Sequence, residues 1–205
     1  MRDFNPHEIF KAAGVPNRFK DSWLSNFDSV QGSVQHKQLI AASKLADDII
    51  AGADIPGGVF MGEPGLGKTH LACGIIRTVC GSGQECLYTT IQKFARHVKS
   101  AWNTGESEES VLAQYRRPRL LVIDEIGVQF KSDTEGLYLT EMVNDRYNDL
   151  KATILISNLG MDELRDVVGA RVLDRFNQGG VPLVFSGSSF RKQLTREKLE
   201  LKETA

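Results

Sequence analysis

The sequence predicts an α/β fold, a three-layer sandwich around a parallel five-stranded sheet. Short apolar segments alternate with helical patterns from Gly58 onward, as in chains that build parallel sheets with helices on both faces. Several of the segments are continuous apolar runs, which indicates strands buried on both faces. The five predicted strands are Val59–Met61, Cys86–Thr89, Leu120–Ile123, Thr153–Ile156 and Val181–Phe185.

Two helices are predicted before the first strand. Asn5 provides a cap for a short helix over Pro6–Ala13, and Pro16 favours an extended conformation for Val15–Lys20. Spaced apolar residues over Ser33–Ala51 predict an amphipathic helix that packs on the domain. We therefore expect an N-terminal helix and extended linker over residues 1–32.

The remaining chain is predicted to form the core, residues 33–190, and a charged helical tail, residues 191–205. The polar segment Gly105–Ser110 is predicted to be a loop. The length of 205 residues, with 41% hydrophobic and 25% charged residues, is typical of one globular α/β domain.

Composition also argues against several functional classes. No apolar run approaches the roughly 20 residues that span a bilayer, and the first residues lack the apolar core of a signal peptide. We therefore expect a cytoplasmic protein without membrane partners. Three cysteines without C-x-x-C spacing indicate neither a disulfide framework nor a zinc site. The net charge of −1 means that any nucleic-acid binding requires a local basic patch.

A phosphate-binding loop follows the first predicted strand. Its sequence fits G-x-x-x-x-G-K-[ST] and leads into a helix, a context that a chance glycine-rich turn would not be expected to share. Glycines let backbone N–H groups surround a triphosphate, Lys68 neutralises its outer oxygens, and Thr69 offers a hydroxyl to Mg²⁺. The predicted nucleotide-binding residues are Gly62, Glu63, Pro64, Gly65, Leu66, Gly67, Lys68, Thr69 and His70.

Two acids end the third predicted strand, at the edge of the sheet where α/β proteins bind ligands. We expect Asp124 to hold Mg²⁺ through water and Glu125 to polarise an attacking water molecule. The alternative is a pair of solvated acids. A base beside the magnesium carboxylate favours a hydrolase over a nucleotide kinase, which needs no such group.

Asn158 and two arginines are further candidate catalytic residues. Asn158 follows the fourth strand and either orients the water or simply forms a turn. Arg171 and Arg175 are four residues apart, and therefore share one helix face. They form either solvated ion pairs with Asp166 or Asp174, or an arginine finger for a neighbour's ATP, which requires a homo-oligomer.

A basic helix is predicted over Thr90–Trp102, with Ile91 and Phe94 on its apolar face. Its cations either form an ordinary solvated face or bind single-stranded DNA, since that interaction needs phosphate neutralisation and stacking groups. The candidate DNA-binding residues are Lys93, Arg96, Lys99 and Trp102.

Three blocks together resemble the AAA+ module of the bacterial replicative-helicase loader family, the DnaC type. They are Gly62–Ala72, Leu120–Gln129 and Arg171–Arg175, and the resemblance extends from about Ala13 to Leu194. It implies a P-loop AAA+ core with a reduced C-terminal lid, ATP hydrolysis with ATP/ADP and Mg²⁺ as ligands, and action in DNA replication. The implied partners are a replicative helicase, single-stranded DNA and further copies of the chain.

The resemblance also implies a role for each motif residue. Lys68 and Thr69 correspond to Walker A, and Asp124 and Glu125 to Walker B. Asn158 corresponds to sensor 1. The arginines would be the finger, Arg175, its supporting neighbour, Arg171, and sensor 2, Arg191.

One feature departs from the loader pattern. Such loaders usually carry an N-terminal helicase-binding domain, whereas about thirteen residues precede the matching region here. We therefore expect either a trimmed fragment or a shorter relative, such as a phage-type protein. The IstB-type transposition helper ATPases resemble the same core. A nucleotide-dependent recruiter with little hydrolysis is the alternative from another functional class.

Overall fold

The computed structural model of the chain describes residues 5–127, 133–187 and 189–190. Five strands form one sheet in the order β2-β3-β4-β1-β5, with every neighbouring pair parallel. This confirms the predicted α/β fold with a parallel five-stranded sheet. The strands are β1 Gly57–Gly62, β2 Cys86–Thr90, β3 Leu120–Ile126, β4 Ala152–Ser157 and β5 Val181–Phe185.

Helices cover both faces of the sheet, which therefore has two hydrophobic cores. Successive strand residues point to opposite faces, so Leu120 and Val122 join one core while Leu121 and Ile123 join the other. The helices are α1 Pro6–Ala12, α2 Val34–Ile50, α3 Lys68–Gly81, α4 Ile91–Thr104, α5 Glu108–Arg116, α6 Asp133–Asn148, α7 Met161–Val168 and α8 Ala170–Asn177. The cores include residues of α2 and α3 on one face and of α4 to α8 on the other.

The sequence signals for the first two helices correspond to observed caps. The Asn5 side chain accepts a hydrogen bond from the backbone N–H of His7, and Ser33 caps α2 in the same way through His36. Both helices lie within the predicted ranges.

The prediction of an extended Val15–Lys20 segment is wrong for its second half. Asn17–Phe19 forms a 3-10 turn, and the Phe19 N–H donates to the Pro16 carbonyl at 2.8 Å. The proline restricts only the residue before it, so the following residues are free to turn and pack Phe19 against the core.

The predicted loop over Gly105–Ser110 is also too long, because α5 begins at Glu108. The Ser107 hydroxyl caps this helix by accepting from the Ser110 N–H at 3.1 Å, and Glu108 and Glu109 occupy its first turn. Acidic residues stabilise a helix N-terminus, so the polar composition reflected a helix start rather than a loop.

Two of the predictions concern the C-terminal end of the chain. The helical tail over residues 191–205, with its reduced lid, lies outside the described residues, and so does Arg191. Within the described ranges, no helix combines the length and apolar character needed to cross a bilayer.

Candidate nucleotide-binding site

A cavity of about 850 Å³ opens at the carboxyl edge of the sheet. Its walls combine the loop after β1 with residues at the ends of β3 and β4, because parallel strands end at one edge. The predicted site residues that line it are Pro64, Gly65, Gly67, Lys68, Thr69, His70, Asp124, Glu125 and Asn158.

The phosphate loop depends on its glycines. Gly67 has φ 93°, and a Cβ atom there would come within 2.5 Å of the Phe27 ring. The loop leads directly into α3, whose first residue is Lys68. The buried Lys68 ammonium donates to the Gly62 carbonyl and, at 2.8 Å, to the Glu63 carbonyl. The loop therefore presents a helix N-terminus and a cation to the cavity, which suits a polyphosphate.

Asp124 is buried at the end of β3, where three hydrogen bonds fix its carboxylate. Its Oδ2 accepts from the Thr69 hydroxyl at 2.8 Å and from the Tyr88 hydroxyl at 2.7 Å. Its Oδ1 accepts from the backbone N–H of Glu125 at 2.6 Å. Burial and the neighbouring Asp124 carboxylate raise the pKa of Tyr88 well above its usual value, so the phenol remains a protonated donor.

Glu125 occupies an unusual backbone conformation beside this carboxylate. Its φ is 62°, and the pairing of β3 with β4 shifts register between Ile123 and Ile126. This bulge leaves Glu125 exposed in the cavity wall, while both neighbours, Asp124 and Ile126, are buried. Left-handed backbone at a non-glycine residue is costly and clusters at functional sites.

Asn158 lies in the same wall, directly after β4. The preceding residue joins the two strand ends: the Ser157 hydroxyl donates to the Ile126 carbonyl at 2.7 Å and accepts from the Leu159 N–H at 3.1 Å. The sheet thus brings Asp124, Glu125 and Asn158 together with the phosphate loop.

The family model for the IstB-like ATP binding protein matches residues 28–198. The chain belongs to this family. The match covers the phosphate loop, both acids and Asn158, so these parts of the cavity wall lie within the matched range of an ATP-binding family.

Two relatives of this IstB-like chain come from Escherichia coli strain K12. YdaV is 27% identical over 196 residues, which are 95% of this chain and 78% of YdaV. The replicative helicase loader DnaC is 34% identical over 139 residues, which are 67% of this chain. The chain spans 57% of the length of that DnaC.

The fold agrees with a solved structure. A crystal structure of the DnaC helicase loader superposes with a TM-score of 0.71 at 21% identity, over 83% of this chain and all of that chain. The predicted AAA+ fold and the predicted kinship with DnaC-type proteins are both confirmed.

The N-terminal linker of the IstB-like chain contributes a cavity wall that the sequence did not indicate. The His70 Nε2 atom lies 3.1 Å from the Trp23 carbonyl and 2.9 Å from Asn26 Oδ1, so it carries the proton and donates to both. The linker residues that line the cavity are Pro16, Arg18, Phe19, Asn26, Phe27 and Asp28. Their contribution depends on tertiary packing, for which no local motif exists.

The predicted arginine finger, Arg175, and its supporting neighbour, Arg171, lie apart from this cavity. Arg175 on α8 donates from Nε to Asn144 Oδ1 at 3.2 Å, and its guanidinium lies 4.8 Å from the centre of the Tyr147 ring. Arg171 is exposed on the same helix. Neither arginine forms a salt bridge with Asp166 or Asp174 within the described residues.

The basic helix α4 has the predicted apolar face, with Ile91, Phe94 and Val98 buried. Lys93 and Arg96 are exposed and line the nucleotide cavity, which the sequence did not predict. Lys99 does not line it, and the Trp102 side chain lies outside the described part of the structure. Two of the three predicted DNA-facing cations, Lys93 and Arg96, therefore adjoin the nucleotide site.

The donor atoms beside the phosphate loop suit Mg²⁺. The ion prefers oxygen ligands and usually keeps several waters while it binds one or two carboxylates and substrate phosphates. Thr69 and Asp124 present a hydroxyl and a carboxylate within 2.8 Å of each other at the cavity wall. Neither here nor elsewhere in the described ranges do three or more histidine, cysteine or acidic side chains form a cluster that could bind a metal alone, so the triphosphate would have to supply further ligands.

Proposed function

We propose that this chain is an ATP-hydrolysing AAA+ switch of DNA replication, which assembles on single-stranded DNA and helps to place a replicative helicase. The observation that carries the ATPase proposal is the contact of Thr69 with Asp124, with Glu125 beside it in one cavity. Family membership supports ATP binding, and kinship with the loader DnaC supports the replication role.

Each residue has a distinct part in the proposed hydrolysis. Lys68 and the loop N–H groups bind the phosphates, while Thr69 and Asp124 hold Mg²⁺, which supplies charge neutralisation when bound. Glu125 accepts a proton from the attacking water, and Asn158 orients that water. The exposed Glu125 carboxylate at the bulge is free to face a bound triphosphate.

Arg175 is proposed to act on the ATP of a neighbouring subunit. Its guanidinium is held by α6 and does not line the cavity of its own chain, which supports action in trans. Such a head-to-tail contact repeats from subunit to subunit, so the active form would be a homo-oligomer.

Mixing two inactive variants tests the trans arrangement. Lys68→Ala disables its own site and keeps Arg175, whereas Arg175→Ala keeps its site and lacks the finger. Each variant alone should lose about 10³-fold in stimulated ATPase rate. A one-to-one mixture should recover about a quarter of the wild-type rate, because a quarter of the sites combine an intact pocket with a neighbouring arginine.

The exposed Arg117, which pairs with Glu85, provides the control for this experiment. Arg117→Ala should keep the wild-type rate. Unchanged turnover in Arg175→Ala, or a mixture no more active than its components, would remove Arg175 from the proposed mechanism.

Single-stranded DNA binding is proposed for α4, since Lys93 and Arg96 are exposed at the cavity wall. The double variant Lys93→Ala/Arg96→Ala should reduce the slope of log affinity against log salt concentration by about 1.4. Lys44→Ala, on α2, is the control. An unchanged slope would make α4 an ordinary solvated helix, and ATP affinity should be measured in parallel because both residues adjoin the nucleotide.

The family match also favours a second candidate, an IstB-type transposition helper. The two candidates differ in their partner. Capture of the replicative helicase from the same host, in the presence of ATP and single-stranded DNA, would support the loader proposal. No capture by a chain with intact ATPase activity would favour the transposition-type function.

A nucleotide-dependent recruiter with little hydrolysis is tested by Glu125→Gln. An obligate ATPase should retain ATP binding but stall in its ATP-bound state, because the amide cannot accept the proton from water. Normal partner release by Glu125→Gln would favour the recruiter.

A further inference from the structure

Tyr88 contacts the predicted magnesium carboxylate directly. The side chain is only 7% exposed, and its hydroxyl donates to Asp124 Oδ2 at 2.7 Å. The same oxygen accepts from Thr69, so two hydroxyls from different elements, β2 and α3, hold one carboxylate oxygen. None of the motifs that define the site includes a residue of β2.

The tyrosine is itself fixed on two sides. Its strand pairs with β3, with Tyr88 opposite Val122 and Thr90 opposite Asp124. On the other side, the Tyr88 N–H donates to the Ala13 carbonyl at 2.7 Å. A donor held this firmly can impose one orientation on the carboxylate.

The chemistry of the donor is suited to a metal site. A lysine or arginine at this place would neutralise the carboxylate and compete with Mg²⁺, whereas a neutral phenol orients it and leaves its charge available. A phenylalanine would fill the same space, so packing alone does not require the hydroxyl.

We propose that Tyr88 is a positioning residue, which holds Asp124 in the orientation that receives Mg²⁺ when the Thr69 hydroxyl turns to the ion. This inference rests on the proposed magnesium-dependent nucleotide site. It assigns to Tyr88 an effect on the magnesium dependence of nucleotide binding, not on nucleotide binding as such.

The test compares Tyr88→Phe with wild type in binding of a mant-labelled, non-hydrolysable AMPPNP, with EDTA or with increasing Mg²⁺. In EDTA, the two affinities should agree within about twofold. The Mg²⁺ concentration that gives half of the metal-dependent gain in affinity should rise about 10-fold in Tyr88→Phe. A merely structural role would lower affinity equally in both conditions.

Tyr138→Phe is a matched control. Tyr138 is 8% exposed and also donates to a carboxylate, Glu108 Oε2 at 2.9 Å, but it does not line the nucleotide cavity. Its loss should leave the Mg²⁺ midpoint unchanged. A wild-type midpoint in Tyr88→Phe overturns the role of Tyr88 alone, whereas a wild-type protein without any Mg²⁺ effect overturns the proposed site as well.

A measurement on the wild-type side chain covers the case in which Tyr88→Phe does not fold. The chain has four tyrosines, so 3-fluorotyrosine labelling gives four ¹⁹F signals, and phenylalanine variants of the other three assign Tyr88 by elimination. The Tyr88 signal should move when Mg²⁺ is added to the AMPPNP complex. A signal that does not respond to Mg²⁺ would contradict the proposal.

Discussion

The parallel strands all begin at one edge of the sheet, the amino edge, and end at the other, the carboxyl edge. Each of these edges buries a charged side chain, and the hydrogen bonds that hold the two side chains run in opposite directions. At the carboxyl edge, Asp124 accepts three hydrogen bonds, two of them from the hydroxyls of Thr69 and Tyr88. At the other edge, Arg146 of α6 is fully buried and donates to the Thr153 hydroxyl and to five backbone carbonyls. These carbonyls belong to Tyr115, Arg116, Pro118, Arg119 and Ala152.

The two arrangements suit different roles: that of Asp124 suits ligand binding, and that of Arg146 stabilises the fold. Two of the three partners of Asp124 are side-chain hydroxyls at the wall of a cavity of about 850 Å³, where a bound ion can compete for the carboxylate. The partners of Arg146 are mostly backbone atoms of two chain segments, which the guanidinium joins. Burial lowers the pKa of Arg146 to about 9, which still leaves it charged at neutral pH.

The largest expected effect is on stability, from Arg146→Met. The methionine fills part of the space but leaves several buried carbonyls without donors, at a cost of about 4 kcal/mol in the free energy of unfolding. Chemical denaturation measures this loss. Nucleotide affinity of the folded fraction should remain within about twofold of wild type, because the cavity lies at the opposite edge.

The matched control for Arg146→Met is Arg117→Met, whose side chain is 75% exposed. A surface ion pair of this kind contributes at most about 1 kcal/mol. Similar losses in the two variants would contradict the idea that the buried guanidinium holds the amino edge together.

The next largest effect is on activity, from Asp124→Asn. The amide keeps the shape of the carboxylate, and both hydroxyl partners can rotate to accept a hydrogen bond instead of donating one. The free energy of unfolding should therefore change by less than about 1 kcal/mol. Hydrolysis should fall about 100-fold, because the charge that holds Mg²⁺ is lost.

Paired ATPase and denaturation measurements test this prediction, with Asp48→Asn on α2 as a surface control. A large loss of both stability and activity in Asp124→Asn would contradict the comparison, because Asp124 would then stabilise the fold as Arg146 does.

The parts of the fold and the site that a local pattern encodes could be predicted from the sequence. Apolar runs predicted five parallel strands, and the strand-end positions of Asp124, Glu125 and Asn158 placed them at one edge. Strand period and parallel pairing fix these positions without knowledge of distant contacts.

The sequence did not indicate residues whose roles depend on tertiary packing. Arg146 lies on a helix among polar residues, and nothing local distinguishes a buried arginine from a surface one. Tyr88 and the linker residue Phe27 reach the cavity only through the folded chain. The left-handed conformation of Glu125 was not predicted either, because positive φ is uncommon for non-glycine residues other than Asn, Asp and His.

The smallest expected effect concerns backbone strain, which also occurs at both edges. Glu125 and Leu150 are the two non-glycine residues with positive φ among the described residues, at 62° and 55°. Leu150 lies in the turn between α6 and β4 and is half exposed, so Leu150→Gly should remove strain and raise the free energy of unfolding by about 1 kcal/mol. ATPase activity should not change. Glu125→Gly should give a similar gain in stability, because glycine adopts positive φ without strain. The same variant should lose hydrolysis, because it also lacks the carboxylate that accepts the proton. Denaturation and ATPase measurements on both variants test whether both residues are strained. A gain in stability for Leu150→Gly but not for Glu125→Gly would mean that the bulge holds Glu125 in its conformation without a cost in stability.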